Sequence, residues 1–560
     1  MESYQIWFGE GPELAILRML GLFDRPADEK GLAALLRPPV IRGLTESLTN
    51  LSQSEWRAIL ARLRRARLLA AEDPQNPGSL DAHPLVREYF GEQLRGERAE
   101  TWKQCNRRLY QHYRALAPDL PDNFREMEPL FLAVICGCNA GFFREALHDV
   151  YIPRIQRGNA YFAANALGVR GALLSVLIHF FENLRWDSAL ETGLGEQSLT
   201  EEDKFFILSQ AALYLTVTRG DCTPEARICY ERLMSLCDSL NNPVRLYSAL
   251  RGMFGYFLEA GELTLAMQFA KRACAVAQEL NDPTLLTSSN HLLALVFYFL
   301  GDFEAARKYF TRSIEIWRSS GAVSLVEEKD APVVSCVVHR GICEWHLGDI
   351  NSARLAMAEA ISLAKKLNDI QALTNALFNS GVFSYYERDV SKAERIASDT
   401  IELSTRHNFA FFSAIGSILR GWAWSASGKA EEGILSIENG IQDYLALGSR
   451  HAMPYWLGLK AEALYLAHRT SEALESIEEA IVAERSGVRH WSAELRRLRG
   501  VFLAAVGAEE SQIDASFSEA IRIAKEQKSI SLEKRAQATY AEYRRQRAST
   551  SGRRAIRLPL

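Results

Sequence analysis

Along most of its length the chain places apolar residues three and four positions apart, the spacing of one helix face, and glycines followed by polar residues break these runs at near-regular intervals. The segments "AGELTLAMQFAKRACAV" from Ala260, "LGDFEAARKYFTRSIEI" from Leu300, "LGDINSARLAMAEAISL" from Leu347 and "SGKAEEGILSIENGIQD" from Ser427 align without gaps. Each has a turn glycine, a small residue five positions on, a larger apolar residue four beyond that and a small residue three further. With the fifth residue after the turn as anchor, Ala266, Ala306, Ala353, Ala393, Gly433 and Ala473 recur at steps of 40, 47, 40, 40 and 40. Ala226 and Ile513 mark less regular units on either side. A second small residue, Ala294, Gly341, Gly381, Gly421, Ala461 or Gly500, stands seven positions before successive turns. Small residues at both heights predict helical hairpins whose two arms approach closely, with the larger apolar residues filling between hairpins. The long step is expected to form a loop within "SSGAVSLVEEKDAPV".

Repeats of this kind resemble tetratricopeptide repeats, lengthened from about 34 residues to roughly 40. The resemblance implies an all-α superhelical solenoid lined on its inner face by the first helix of each hairpin, here over residues 196–543. Upstream, "AGFFREALHDVYIPRI" from Ala140 repeats the glycine-to-alanine spacing through Gly141 and Ala146, so 113–195 is expected to be a degenerate helical lead-in. Residues 1–112 differ. Three helical runs, "GPELAILRMLGLF", "DEKGLAALLR" and "SQSEWRAILARLRRARLL", precede "LLAAED", the turn cluster "PQNPG" and "SLDAH", and then the helix "PLVREYFGEQLR". Three helices followed by a two-stranded hairpin predict a winged-helix module with a small β-wing. The stretch 544–560, "RRQRASTSGRRAIRLPL", has no apolar periodicity and is expected to be a disordered basic tail.

Composition narrows the function classes. The 560 residues are 48% hydrophobic and 24% charged with a net charge of −4, so any affinity for a polyanion must be local. Nine cysteines include no CxxC pair and no Cys/His spacing suited to tetrahedral zinc, which points to reduced, buried thiols in a cytoplasmic protein and to no metal site. No secretory leader is evident, and no apolar run of about 18 residues is expected to cross a membrane. No H-E-x-x-H, G-x-S-x-G or strand-borne G-x-G-x-x-G occurs, so no catalytic residue and no cofactor are expected.

The succession from "PELAILRMLGLF" to "DAHPLVREYFGEQL" resembles the winged-helix segment that follows the nucleotide-binding domain in bacterial STAND ATPases. The repeats are similar to the tetratricopeptide sensor halves of that class. In that family the winged helix presents a histidine to the β-phosphate of bound ADP. The resemblance places His83 there, within Ala82-His83-Pro84. A phosphate-binding loop needs G-x-x-x-x-G-K-[ST]. The sole Gly-Lys pair, Gly428-Lys429, precedes alanine and marks a repeat turn, so this chain cannot bind nucleotide in that way by itself.

Three sets of candidate residues follow. Projection of the repeat places Asn375, Tyr385, Trp422, Tyr455, Glu462 and Arg497 on the concave face, where aromatic anchors and polar clamps suit a protein or peptide partner. His83 reads as an ordinary residue before a helix opening at Pro84, or as a contact to ADP supplied by a separate nucleotide-binding STAND subunit, or as a relic. Arg57, Arg62, Arg64, Arg65 and Arg67 stand opposite the apolar stripe Trp56, Ile59, Leu60 and Leu63, on the helix that would read DNA or dock a partner. The expected function is that of a non-enzymatic sensor or scaffold, the regulatory half of a STAND-type system. The alternatives are a winged-helix DNA-binding regulator and a subunit of a split STAND ATPase.

Overall fold

Helix-capping chemistry sets the element boundaries throughout the computed structural model, which describes residues 2–76, 78–190, 193, 195–220, 222–321, 331–549 and 555–560. The chain divides into two units, Met1–Ile207 and Leu208–Leu560. No extended strand occurs among the described residues.

The first unit begins with α1 (Glu2–Phe8), α2 (Pro12–Leu20), α3 (Glu29–Leu36), α4 (Gln53–Arg65) and α5 (Pro84–Glu97). Asp28 caps α3 by accepting from the Gly31 amide at 2.8 Å, and Ser52 with Glu55 forms a reciprocal capping box on α4. Helices α2 and α5 approach so closely at Gly21 and Gly91 that a Cβ on Gly21 would lie 2.3 Å from the Gly91 nitrogen, which only glycine permits. The expected β-wing is not formed. The segments proposed for it share one backbone bond, from the Ala70 amide to the Asp81 carbonyl, while Leu80 bridges antiparallel to Ala27 instead. Pairing with the segment before α3 uses the donors a two-stranded wing would need. Helices α6 (Ala99–Leu116) and α7 (Phe124–Asn139) follow, then α8 (Phe143–Glu145), which continues as a π-helix over Ala146–Gln156, then α9 (Phe162–Asn165) and α10 (Arg170–Leu177). Between α7 and the π-helix Gly141 turns the chain at φ 83°, and a Cβ on Gly137 would touch the Ala146 methyl at 3.0 Å.

The array opens with α11 (Glu201–Arg219) and α12 (Pro224–Leu240), the unit boundary falling within α11. Seven hairpins follow: α13 (Pro243–Glu259) with α14 (Leu263–Leu280), α15 (Pro283–Leu300) with α16 (Phe303–Ser320), α17 (Pro332–His346) with α18 (Ile350–Leu367), α19 (Ile370–Tyr386) with α20 (Val390–His407), α21 (Ala410–Ala426) with α22 (Ala430–Ala446), α23 (Met453–Leu466) with α24 (Thr470–Ala483), and α25 (Ser492–Ala505) with α26 (Glu510–Glu526). A last helix, α27 (Ile530–Ser549), packs on α25 and α26. This is a helical-repeat solenoid of the tetratricopeptide type. Every anchor from Ala266 to Ala473 is buried, and so is every small residue from Ala294 to Gly500. The closest crossing is at Gly421 and Gly433, where a Cβ on either residue would come within 2.5 Å of the other's carbonyl oxygen. Asn241, Asn281, Asn368 and Asn408 end second helices in the left-handed conformation, and Asn242, Asp282 and Asp369 then cap the next first helix. The loop expected in the long step falls on 322–330, outside the described residues.

Helix α15 has the length and apolarity of a membrane span, but 61% of it is buried inside the array, including Thr287, Asn290 and His291. The tail expected to be disordered is ordered in both of its described parts: α27 runs to Ser549, and in 555–560 Ile556 and Leu558 are buried. Alternation of apolar and polar residues over only six positions is too short for periodicity to detect. All nine cysteines are free thiols, eight buried and Cys222 half-buried.

Candidate functional site: the interior of the repeat array

The array winds tightly enough for its later turns to touch its earlier ones. The Glu259 carbonyl at the end of α13 accepts from the Arg450 and His451 amides at 2.7 and 3.1 Å, and the Phe299 carbonyl of α15 accepts from Arg489 and His490 at 2.7 and 3.2 Å. His346 Nδ1 meets Ser529 Oγ at 2.9 Å, 183 residues away in sequence. The bonds to the Glu259 and Phe299 carbonyls cap unsatisfied groups at helix C-termini, and the inner helices enclose a cavity of about 270 Å³.

The cavity wall is largely aromatic, with Tyr298, Phe299, Phe378, Phe411, Tyr455 and Trp456. Its polar members include Asn375, Asn379, Ser335, His339 and His490. Burial pushes the imidazoles of His339 and His490 down to about 4 and about 3, so both are neutral at pH 7. Burial also holds the Tyr455 phenol well above its ordinary value. Tyr455 Oη and His490 Nδ1 are buried and have no hydrogen-bond partner within the protein. A buried polar atom without a partner is costly.

Beside the cavity the inner helices are locked by charge. Glu462 on α23 accepts from Tyr385 Oη at 2.5 Å, Arg388 at 2.6 Å and Trp422 Nε1 at 3.1 Å. Arg388 also reaches Glu494 at 3.2 Å, and Glu494 binds Arg497 at 2.8 Å and Arg535 at 3.2 Å. Burial alone would raise the Glu494 carboxyl, but Arg497, Arg535 and Arg388 outweigh it and hold the group well below the usual carboxylate range. The Arg388 guanidinium lies 4.9 Å from the Tyr385 ring centre and 5.9 Å from that of Trp422.

Of the six concave-face residues, Asn375 and Tyr455 line the cavity, whereas Tyr385 and Trp422 are buried against Glu462 and Arg497 is buried against Glu494. Repeat phasing missed Arg388, Glu494, Arg535, His339 and His490. Arg388 had a usable sign: it breaks the column of turn glycines Gly261, Gly301, Gly348 and Gly428, and it keeps their left-handed backbone at φ 61°.

In the first unit His83 is the N-cap of α5, its Nδ1 accepting from the Leu85 amide at 3.3 Å, with an exposed imidazole. On α4, Ile59, Leu60 and Leu63 are buried and Trp56 is half-buried. Arg57, Arg65 and Arg67 are exposed, Arg62 pairs with Glu13 at 2.6 Å and half-buried Arg64 lies 3.7 Å from Glu72. Among the described residues no group of three or more His, Cys, Asp or Glu could hold a metal ion.

No family model matches the chain. An uncharacterized protein of Rhizobium meliloti (strain 1021) is 22% identical over 354 residues, which are 62% of this chain, and the chain spans about a third (34%) of that relative's length. Among solved structures, a Rap protein complexed with Competence and Sporulation Factor is 13% identical, with 64% of this chain and 98% of that one covered at a TM-score of 0.41. NprR in complex with its cognate peptide NprX is 12% identical, with 62% and 97% covered at 0.41. A STAND protein with a tetratricopeptide repeat sensor from Pyrococcus horikoshii is 14% identical, with 88% and 65% covered at 0.37.

Proposed function

We propose that the chain is a non-enzymatic binding scaffold whose repeat array takes a segment of a protein or peptide partner into its interior cavity. The observation that carries this reading is a cavity of about 270 Å³ whose wall combines the aromatic side chains of Tyr298, Phe299, Phe378, Phe411, Tyr455 and Trp456 with the amides of Asn375 and Asn379. Aromatic walls reward an apolar anchor, and polar wall residues such as Asn375 and Asn379 orient it. Burial keeps the imidazoles of His339 and His490 and the Tyr455 phenol neutral, while Glu259 and His451, 3.0 Å apart, also belong to the wall. Panning a random-peptide display library on the full chain tests the reading. Recovered peptides should share an apolar anchor and bind at least tenfold more weakly to Asn375→Ala and Phe411→Ala chains that melt like wild type. Peptides indifferent to both substitutions would place binding elsewhere.

Within this reading the first unit is the transmitting module of a STAND-type signalling system, and a winged helix that has lost its wing is compatible with the order of α2 to α5. If a separate nucleotide-binding chain completes the system, His83→Ala changes ADP retention in the mixture and leaves this chain's melting curve unchanged. A DNA-binding reading draws on the exposed Arg57, Arg65 and Arg67. It requires salt-dependent retardation of duplex DNA that is lost on reversing the charge at Arg65 and Arg67.

A further inference from the structure

Each carbonyl-bearing end of the early inner helices receives a segment from the next turn. The Glu259 and Phe299 carbonyls take the amides at 450–451 and 489–490, Trp345 takes the Ser531 hydroxyl, and Tyr386 takes the Arg535 guanidinium at 2.7 Å. On the later helices α23 and α25 the same seat is filled differently. The Ala504 carbonyl accepts from the Ile556 amide at 3.0 Å, and the Tyr465 carbonyl accepts from Arg557 at 3.1 Å. Tyr465 Oη donates to the Leu558 carbonyl at 2.9 Å, and Arg557 lies 5.0 Å from the Tyr465 ring centre and also meets His468. Ile556 and Leu558 are buried, while Ala555, Arg557 and Pro559 between and beside them are exposed. Side chains alternating in and out over a segment without helix are those of an extended peptide lying on a surface.

We infer that the ends of α23 and α25 form a peptide-binding site, separate from the interior cavity, that recognises an extended apolar-Arg-apolar-Pro segment, and that residues 555–560 are its resident, displaceable occupant. The recognition elements are a carbonyl on each helix, the Tyr465 hydroxyl and ring, and pockets for two apolar side chains. None of them depends on covalent continuity with α27. Tethering keeps the segment in place through an effective concentration in the millimolar range for a short link, so a free peptide of the same sequence must outcompete it.

A fluorescein-labelled peptide, AIRLPL, titrated against the full chain tests this. The doubly substituted chain Ile556→Asp/Leu558→Asp, with its own segment released, should bind the peptide saturably and at least tenfold more tightly than wild type does. Adding Tyr465→Phe should weaken that binding severalfold, because the donor to the Leu558 carbonyl is gone. Equal binding by wild type and the double variant, or no saturable binding by a double variant that keeps its helical circular dichroism, would overturn the inference. If the double variant does not fold, hydrogen exchange on wild type decides. Millimolar unlabelled peptide should speed exchange at the Ile556 amide, and an unchanged rate would sink the idea.

Discussion

Glu462 is fully buried on the inner face of α23 and receives hydrogen bonds from Tyr385, Arg388 and Trp422. Removing one partner of a buried ion pair leaves the other charge desolvated without compensation, at a cost of about 3–5 kcal/mol. Glu462→Ala should therefore lower the unfolding free energy measured by urea denaturation by an amount in that range, and Arg388→Ala in the Glu462→Ala background should cost less than Arg388→Ala alone. A double-mutant cycle showing simple additivity would mean that the pair contributes nothing to the fold. Projection of the repeat placed Tyr385, Trp422, Glu462 and Arg497 on one face of four successive inner helices, α19, α21, α23 and α25. It could not show that the face is filled. Arg388 and Glu494 meet 106 positions apart, and no local spacing encodes such a meeting.

At the level of helices the repeat pattern was almost wholly legible, since a hairpin's two arms are near neighbours in sequence and their contact residues recur with the period. The tightest crossing, α21 on α22, depends on the absence of side chains at Gly421 and Gly433. A Cβ on Gly421 would sit 2.5 Å from the Gly433 carbonyl oxygen and 2.8 Å from the Ile437 side chain. Gly421→Ala should thus destabilise the array by about 1–3 kcal/mol through overpacking. Gly96 near the end of α5 has nothing within 4 Å of a built Cβ, so Gly96→Ala should leave stability unchanged or raise it by about 0.5–1 kcal/mol through helix propensity. Chemical denaturation of both variants checks the pair; a similar loss in each would mean that packing is not what distinguishes them. The missing wing belongs to this scale too. In "SLDAH" Leu80 bridges to Ala27, ahead of the α3 cap, and among the described residues only Asp81 bonds to the preceding run, because alternation alone does not name a partner.

For the array as a whole, the decisive contacts join successive turns, and several end in histidine. His291, His339, His346 and His490 are each driven below their ordinary range by burial first, then by neighbouring imidazoles or arginines. An unfolded chain titrates such groups near about 6.5. In the folded array His291 and His490 remain neutral down to about 3 and His339 down to about 4. Between those limits the unfolded state binds more protons, so stability is complete above about pH 6.5 and falls as the pH drops below it, by roughly 1 kcal/mol per histidine per pH unit. Glu344 and Glu484, raised by burial, act in the opposite sense as they take up protons in the folded state. Glu494, held low by its arginines, weakens the fold only as the pH falls through the ordinary carboxylate range near 4.5. Four histidines against two raised carboxyls leave a net loss of several kcal/mol between pH 7.5 and 5. The urea midpoint should fall over that interval, and His490→Phe should flatten part of the slope. A midpoint independent of pH in this range would show that these four imidazoles are solvated in the folded array rather than buried.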